Sequence, residues 1–152
     1  MTTSHDSPLS GPTTPRPDIP DGYYAVPDPN GHGQLTAWRA VNGHLKSSPA
    51  NARYGPALFK SDLAGLSPLE RQRRVHDWFE TVRWPWDRAI RAAIVADPEA
   101  AGALYAKTTV RCRDCGISLR DPVSKRDGRG PDCRAKLADA VKAATKYRGE
   151  RS

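Results

Sequence analysis

The alternation of apolar and polar residues near the start of the chain predicts a small antiparallel sheet. Residues 23–26 have the composition of a short strand, and residues 35–41 alternate with the period of two that is typical of a half-buried strand. The stretch between them is rich in Pro, Asn, Asp and Gly, which favour turns. We therefore expect a β-hairpin, followed over residues 46–60 by a loop with one more short strand near Leu58-Phe59.

A helical repeat replaces this alternation after residue 66. Ser67-Pro68-Leu69-Glu70 combines an N-cap Ser, a Pro at the first helical position and a Glu at N3, which together form a capping box. Apolar residues then recur at helical spacing, at Val75, Trp78, Phe79 and Val82. Pro85 is expected to end this helix because it has no N–H. A second helix is predicted from Asp87, and a third, short helix from Asp97 to about Ala106.

Three tryptophans, Trp78, Trp84 and Trp86, fall within nine residues of one another. Their spacing predicts that the indole rings cluster in one core. The alternative interpretation is a platform on which nucleic-acid bases stack.

Composition changes this picture by limiting the core. Of the 152 residues, 38% are hydrophobic and 7% aromatic, so a bound metal would help to stabilise the fold. Residues 1–20 contain five prolines and few large apolar side chains, which predicts a disordered tail. The chain has neither an apolar run of transmembrane length nor the apolar segment of a secretory signal. We therefore expect a cytoplasmic protein without a membrane partner.

The net charge of +7 is concentrated at one end of the chain. Residues 1–106 hold 11 Lys/Arg and 11 Asp/Glu, whereas residues 107–152 hold 13 Lys/Arg and 6 Asp/Glu. This asymmetry favours an anionic partner, and nucleic acid is the usual one. A solvated basic tail is the alternative.

The three cysteines lie in this basic region. Cys112 and Cys115 form a Cys-x-x-Cys-Gly motif, and Cys133 follows at the start of a helix predicted over residues 132–147. An odd cysteine count does not suit a disulfide framework, and the spacing favours a metal over a thioredoxin-like redox pair because no βαβ pattern surrounds it. A knuckle, a hairpin and a helix-borne ligand would form a treble-clef zinc finger. Asp132 is expected to cap the last helix, and Leu137, Val141 and Ala144 form a narrow apolar stripe that would dock it on a neighbour.

The position expected to supply a fourth zinc ligand, three residues after Cys133, holds Lys136. His76 is the most plausible distant donor. Asp132 adjoins Cys133, and His32 and His44 lie in predicted loops. Water or a partner could also complete the site.

Basic side chains around the cysteines are the candidate nucleic-acid contacts. They belong to the finger (Arg111, Arg113, Arg120, Lys125, Arg126, Arg129) and to the last helix (Arg134, Lys136, Lys142, Lys146). DNA and RNA stay open, as does a protein partner, whereas no small-molecule substrate is expected.

Enzyme motifs are missing from the chain. His76-Asp77-Trp78 does not match the His-x-Glu of zinc deaminases, and no Pro precedes Cys112. Walker, His-Glu-x-x-His and Gly-x-Ser-x-Gly patterns do not occur. We therefore expect a non-enzymatic protein, although an open zinc position is also a feature of catalytic sites.

The finger resembles a domain of unknown function that is common in actinobacteria and their phages. The pattern of that domain is Cys-x-x-Cys-Gly-Arg-x-Leu-x-Asp-Pro-x-Ser, followed by Gly-x-Gly-Pro-x-Cys. The matching residues are Cys112, Cys115, Gly116, Leu119, Asp121, Pro122, Ser124, Gly128, Gly130, Pro131 and Cys133. Ile117 stands where the family has Arg. Upstream segments at Gly22–Ala25, Trp38–Val41 and Ile94–Ala101 also look similar. In larger proteins the unit accompanies Swi/Snf-type helicases, so the resemblance implies nucleic-acid work by association.

These observations predict an α+β protein: a disordered tail (1–20), a small α+β domain with a β-hairpin and helices (21–106), a treble-clef-like zinc-finger module with a C-terminal helix (107–147) and a basic tail (148–152). The predicted function is an accessory, phage-encoded zinc protein that binds nucleic acid through the finger. The alternative is a non-enzymatic module that binds a host or phage protein, with zinc purely structural.

Overall fold

A computed structural model describes residues 18–151 except His32. Three strands, β1 (Gly22–Pro27), β2 (Leu35–Val41) and β3 (His44–Ser47), precede the helices. After a short 3-10 turn at Lys60–Leu63 come α1 (Pro68–Trp78), a π-helical turn (Phe79–Arg83), α2 (Trp84–Ala96), α3 (Pro98–Thr109), α4 (Pro122–Asp127) and α5 (Pro131–Arg151). The α+β class predicted from the sequence is confirmed.

The sheet is antiparallel, with strand order β1-β2-β3. The predicted hairpin of β1 and β2 is confirmed, with Tyr24 opposite Trp38. The prediction of a third strand near Leu58-Phe59 is wrong. The third strand is β3, which follows β2 directly. Asn42 and Gly43 both have positive φ, 52° and 77°, which is the backbone of the tight turn that joins paired strands. Phe59, in the segment predicted as a strand, is 66% exposed.

Helix α1 begins as the sequence predicts. The Glu70 amide donates to Ser67 Oγ at 3.2 Å, and the Ser67 amide donates to Glu70 Oε1 at 3.0 Å, so both halves of the capping box form. The side-chain and backbone hydrogen bonds from Ser67 lower the pKa of Glu70.

Pro85 does not end this helix, contrary to the prediction. The chain widens into a π-helical turn, in which the Trp84 amide donates to the Phe79 carbonyl. Pro85 then lies in the first turn of α2, where a missing N–H is tolerated. As a result α2 starts at Trp84 and not at Asp87, and the Asp87 carboxylate pairs with Arg83 at 3.1 Å.

The main core lies between one face of the sheet and helices α2 and α3. Its buried residues are Ile19, Tyr24, Val26, Trp38, Ala40, Trp86, Ile90, Ile94 and Ala101. The single tryptophan core predicted for residues 78–86 is wrong. Trp86 packs with Trp38, at a ring separation of 6.0 Å, whereas Trp78 and Trp84 pack on Phe79 in a separate, partly exposed group.

Both ends of the described chain are more ordered than predicted. Ile19, within the predicted tail of residues 1–20, is 2% exposed in the core, and Asp18 pairs with Arg91 at 2.5 Å. Residues 1–17 lie outside the described part. Helix α5 extends through most of the predicted basic tail. In the described residues, no helix has the length and apolarity needed to cross a membrane.

Candidate metal centre

The first two cysteines lie on a tight knuckle directly after α3. Val110 ends α3 in the left-handed conformation, and the chain then doubles back through a bridge between Arg111 and Ser118. Within this turn the Cys112 amide donates to the Ile117 carbonyl and the Gly116 amide donates to the Cys112 carbonyl, both at 2.8 Å. These bonds hold Cys112 and Cys115 on the same side of the turn.

Gly116 is required by this geometry. Its φ is +80°, and a Cβ there would lie 2.8 Å from the ring of Tyr23 on β1. A side chain would therefore strain the backbone and displace the ring. The knuckle consequently packs directly against the first strand of the sheet.

Helix α4 brings the third cysteine to the knuckle. Asp121 caps α4 by accepting from the Ser124 amide at 3.0 Å, and the Ser124 hydrogen bonds lower the pKa of Asp121. Gly128 ends the helix with φ 72°, and its carbonyl accepts from the Arg113 amide at 2.9 Å. The treble-clef pattern predicted a hairpin in this connection, and the structure has a short helix there.

Cys133 lies in the first turn of α5. That helix begins at Pro131, and the Arg134 amide donates to the Gly130 carbonyl at 2.9 Å. Asp132 is therefore inside the first turn and does not hold the N-cap position predicted for it.

The three Sγ atoms all lie within 4.8 Å of one another. Two thiolates on one tetrahedral zinc ion are about 3.8 Å apart, given a Zn–S distance of about 2.3 Å. Cys112 is fully buried, Cys133 is half-buried and Cys115 is exposed, and none forms a disulfide. The donor set thus fits a thiophilic metal ion with only small movements of the side chains.

The protein environment shifts the pKa values of Cys112 and Cys133 in opposite directions. Burial raises the pKa of the Cys112 thiol, but hydrogen bonds from the amides of Gly130, Cys115 and Asp114 outweigh it, so the pKa is lowered overall. Burial, followed by the neighbouring Cys115 and Cys112 sulfurs, raises the pKa of Cys133 to about 12. A metal ion bound by the three sulfurs would displace the proton that this environment favours on Cys133.

The described residues add no fourth protein ligand to this cluster. Neither His76 nor Asp132 joins the three cysteines. His76 pairs with Glu80 one turn along the helix and contacts the Trp84 ring edge-on. His44 is on β3, and His32 lies outside the described residues.

Three of the ten predicted nucleic-acid contacts have structural roles. Arg113 is 8% exposed and donates to both carboxylate oxygens of Glu99, at 2.9 and 3.3 Å. Arg129 pairs with Asp114 at 2.7 Å. Arg134 donates to Ser124 Oγ at 3.2 Å. For Arg113 the prediction is wrong, because a buried and paired guanidinium cannot reach a phosphate.

The other seven remain accessible. Arg126 is paired with Asp127 but its side chain is 73% exposed. Arg111 donates to the Gly116 carbonyl at 3.1 Å at the surface. The remaining exposed residues are Arg120, Lys125, Lys136, Lys142 and Lys146.

Sequence reasoning missed the residues that attach the knuckle to the rest of the fold. Neither Glu99 nor Gly102 is among the predicted site residues. A Cβ on Gly102 would lie 2.4 Å from the Arg113 guanidinium, and the Tyr23 amide donates to the Arg113 carbonyl at 2.7 Å. A glycine inside a predicted helix, with an arginine nearby in sequence, was the available signal.

Residues 102–138 match a family of unknown function, DUF6011. The matched segment runs from Gly102, which packs on Arg113, through all three cysteines to the second turn of α5. No curated protein and no solved structure matches the chain.

Proposed function

We propose that Cys112, Cys115 and Cys133 hold one zinc ion in a structural role. Thiolates are the ligands that zinc prefers in small structural sites, and the sulfur separations suit the ion. The remaining position is taken by solvent or by a partner, because the exposed Cys115 leaves the cluster open on one side. The knuckle and helix-borne ligand keep two parts of a treble clef.

The proposed function is that of an accessory, phage-encoded protein that acts in the host cytoplasm and binds nucleic acid through this module. The observation that carries this proposal is that seven basic side chains stay exposed on residues 107–147, which we call the metal module, whereas residues 1–106 are neutral. Such a surface attracts phosphates. The phage origin is supported by the sequence resemblance alone. We propose no catalytic role.

The test is the salt dependence of binding to duplex and single-stranded oligonucleotides. Lys125 and Arg126 lie together in the last turn of α4, so replacing both by Ala removes two contacts. Each phosphate contact contributes a slope of about −0.9 in log K against log salt on duplex DNA and about −0.7 on single strands. The slope of log K against log salt should therefore be shallower for the double variant by about 1.4 to 1.8.

A charge-matched control is Lys46→Ala with Arg88→Ala, since both residues are exposed and lie outside the module. The control should leave the slope unchanged. Equal slopes for the two double variants would contradict the proposed interface.

A protein partner is the second candidate, and helix α5 favours it. The apolar stripe predicted to dock this helix does not do so: Leu137 is 46% exposed and Val141 57%. An apolar pair on an exposed helix suits a protein groove. Absence of oligonucleotide binding at about 50 mM salt, where phosphate contacts are strong, would favour this candidate.

A further inference from the structure

A groove of about 530 Å³ is lined by none of the residues that build the metal centre. Its floor and walls come from β2, the end of β3, the following loop and the π-helical turn. The lining residues are Trp38, Ser47, Ala52, Arg53, Tyr54, Gly55, Pro56, Ala57, Leu58, Trp78, Phe79 and Arg83. The volume falls within the range of ligand sites, about 300 to 1,000 Å³.

Aromatic rings form two of its walls. On the sheet side the rings of Trp38 and Tyr54 are 5.5 Å apart and tilted. On the helix side Trp78 meets Phe79 edge-on, at 5.1 Å. Tyr54, Trp78 and Phe79 are only partly buried, so part of each residue is accessible to a ligand.

The groove is held in shape by its own contacts. Arg83 Nη1 donates to the carbonyls of Tyr54 and Pro56, at 2.7 and 3.2 Å, which ties the loop to the π-helical turn. Gly55 lies so close to Trp86 that a Cβ would be 2.8 Å from the ring. π-helical turns occur frequently at functional sites, and here the turn sets the position of Phe79.

Three positively charged side chains lie in the groove or on the helix face that carries Trp78. Arg53 lines the groove and is exposed. Arg71 and Arg74 precede Trp78 by seven and four residues on α1, so they lie on the same helix face. None of these three forms a salt bridge with another described residue, whereas Arg83 is neutralised by Asp87.

We propose that this groove binds single-stranded nucleic acid, with bases stacked on the aromatic walls and phosphates held by Arg53, Arg71 and Arg74. Aromatic side chains beside a basic track are the usual means of binding single strands without sequence preference. The inference rests on the proposed function in that nucleic acid is the partner. It adds that the bound nucleic acid is single-stranded and that a second surface of the protein contacts it, neither of which the net charge alone indicates.

Charge decides against the other ligand that aromatic grooves accept, a proline-rich peptide. The chain has such a segment of its own, residues 7–17, but its only charged side chain is Arg16. A cationic segment is not complementary to a border of arginines. Duplex DNA is also unsuited, because its base faces are stacked inside the helix.

Photo-cross-linking of the full chain to bromodeoxyuridine oligonucleotides of about 12 nucleotides tests the proposal directly, with the cross-linked peptides identified by mass spectrometry. We expect cross-links within residues 52–58 and 78–79. Trp78→Ala should weaken single-strand binding about tenfold or more, and Trp78→Phe should restore most of it. Arg53→Ala should weaken binding more than Arg88→Ala, which removes the same charge outside the groove.

The outcomes separate this inference from the proposed function. One outcome is that oligonucleotides bind but cross-link only within residues 107–146, and that the Trp78 and Arg53 variants bind as tightly as their controls. This outcome contradicts the groove proposal and leaves the proposed function of the metal module intact. Failure of both single strands and duplexes to bind overturns both. Binding of a peptide of residues 7–17 that depends on Trp78, without binding of oligonucleotides, shows that the groove takes proline-rich chain instead. If Trp78→Ala fails to fold, the cross-link map of the unaltered protein still decides.

Discussion

Arg113 shows how one side chain attaches the metal module to the rest of the protein. Its guanidinium lies against Gly102 of α3 and pairs with Glu99, while its backbone accepts from Tyr23 of β1 and donates to Gly128. It therefore contacts a helix, a strand and the end of α4 at once. From the sequence it was indistinguishable from the other arginines around the cysteines.

At this scale we predict that Arg113→Ala lowers the free energy of unfolding by about 1 to 3 kcal/mol. The reason is the packing that is lost when the buried side chain is removed from its place against Gly102; the ion pair adds little, since Glu99 itself is exposed to solvent. Urea unfolding measures the change. Lys125→Ala, on the surface of the same module, is the control and should stay within about 0.5 kcal/mol; equal effects of the two substitutions would show that Arg113 is not structural.

The clustering of the three cysteines could be predicted from the sequence, but the role of each arginine could not. A Cys-x-x-Cys-Gly motif is typical of metal sites, and the structure brings Cys112, Cys115 and Cys133 together as the motif predicts. An arginine is buried or exposed according to which residue lies beside it in space. Glu99 is 14 residues from Arg113, and only the packing of the knuckle on α3 brings them together.

At the scale of elements, local sequence signals predicted where helices and strands begin better than where they end. The capping box at Ser67 and the hairpin of β1 and β2 depend on neighbouring residues, and both were confirmed. Pro85 was misinterpreted because a wide turn can absorb a proline that an α-helical turn cannot. Helix α4 was missed because Asp121-Pro122 and Gly128 delimit only six residues, which is too short for a periodic pattern.

The metal module has little apolar core of its own, which leads to a prediction for its helices. Its buried cluster contains only Ala106, Cys112 and Leu119, with Cys133 packed beside it. Cys133→Ser should therefore lose the metal and the order of α4 and α5, because metal binding and folding are coupled in such sites. The sheet and α2 should persist, since they share the separate main core.

Hydrogen exchange read out by mass spectrometry measures this segment by segment. Ala135→Ser is the matched control, since residue 135 is exposed on the same helix and receives the same side chain. Retained metal and unchanged protection in Cys133→Ser would exclude Cys133 as a ligand.

At the scale of the whole molecule, the net charge of each region does not indicate every candidate binding surface. The sequence divides into a neutral region and a basic one, and this division favours nucleic-acid contacts in the basic region alone. In the fold, however, Arg53 and Arg83 of that region line an aromatic groove, and Asp87 pairs with Arg83 but not with Arg53. Summed charge therefore missed a surface that depends on how the charges are arranged.

The central claim is that the three cysteines form a zinc site that orders the basic module. Its most direct test is the metal content of the full chain purified without chelator, measured by elemental analysis and by native mass spectrometry. Because the three Sγ atoms lie within 4.8 Å of one another, we predict about one zinc per chain, with the thiols protected from alkylation until the metal is removed. A zinc content near zero, with all three thiols freely titratable, would contradict the account.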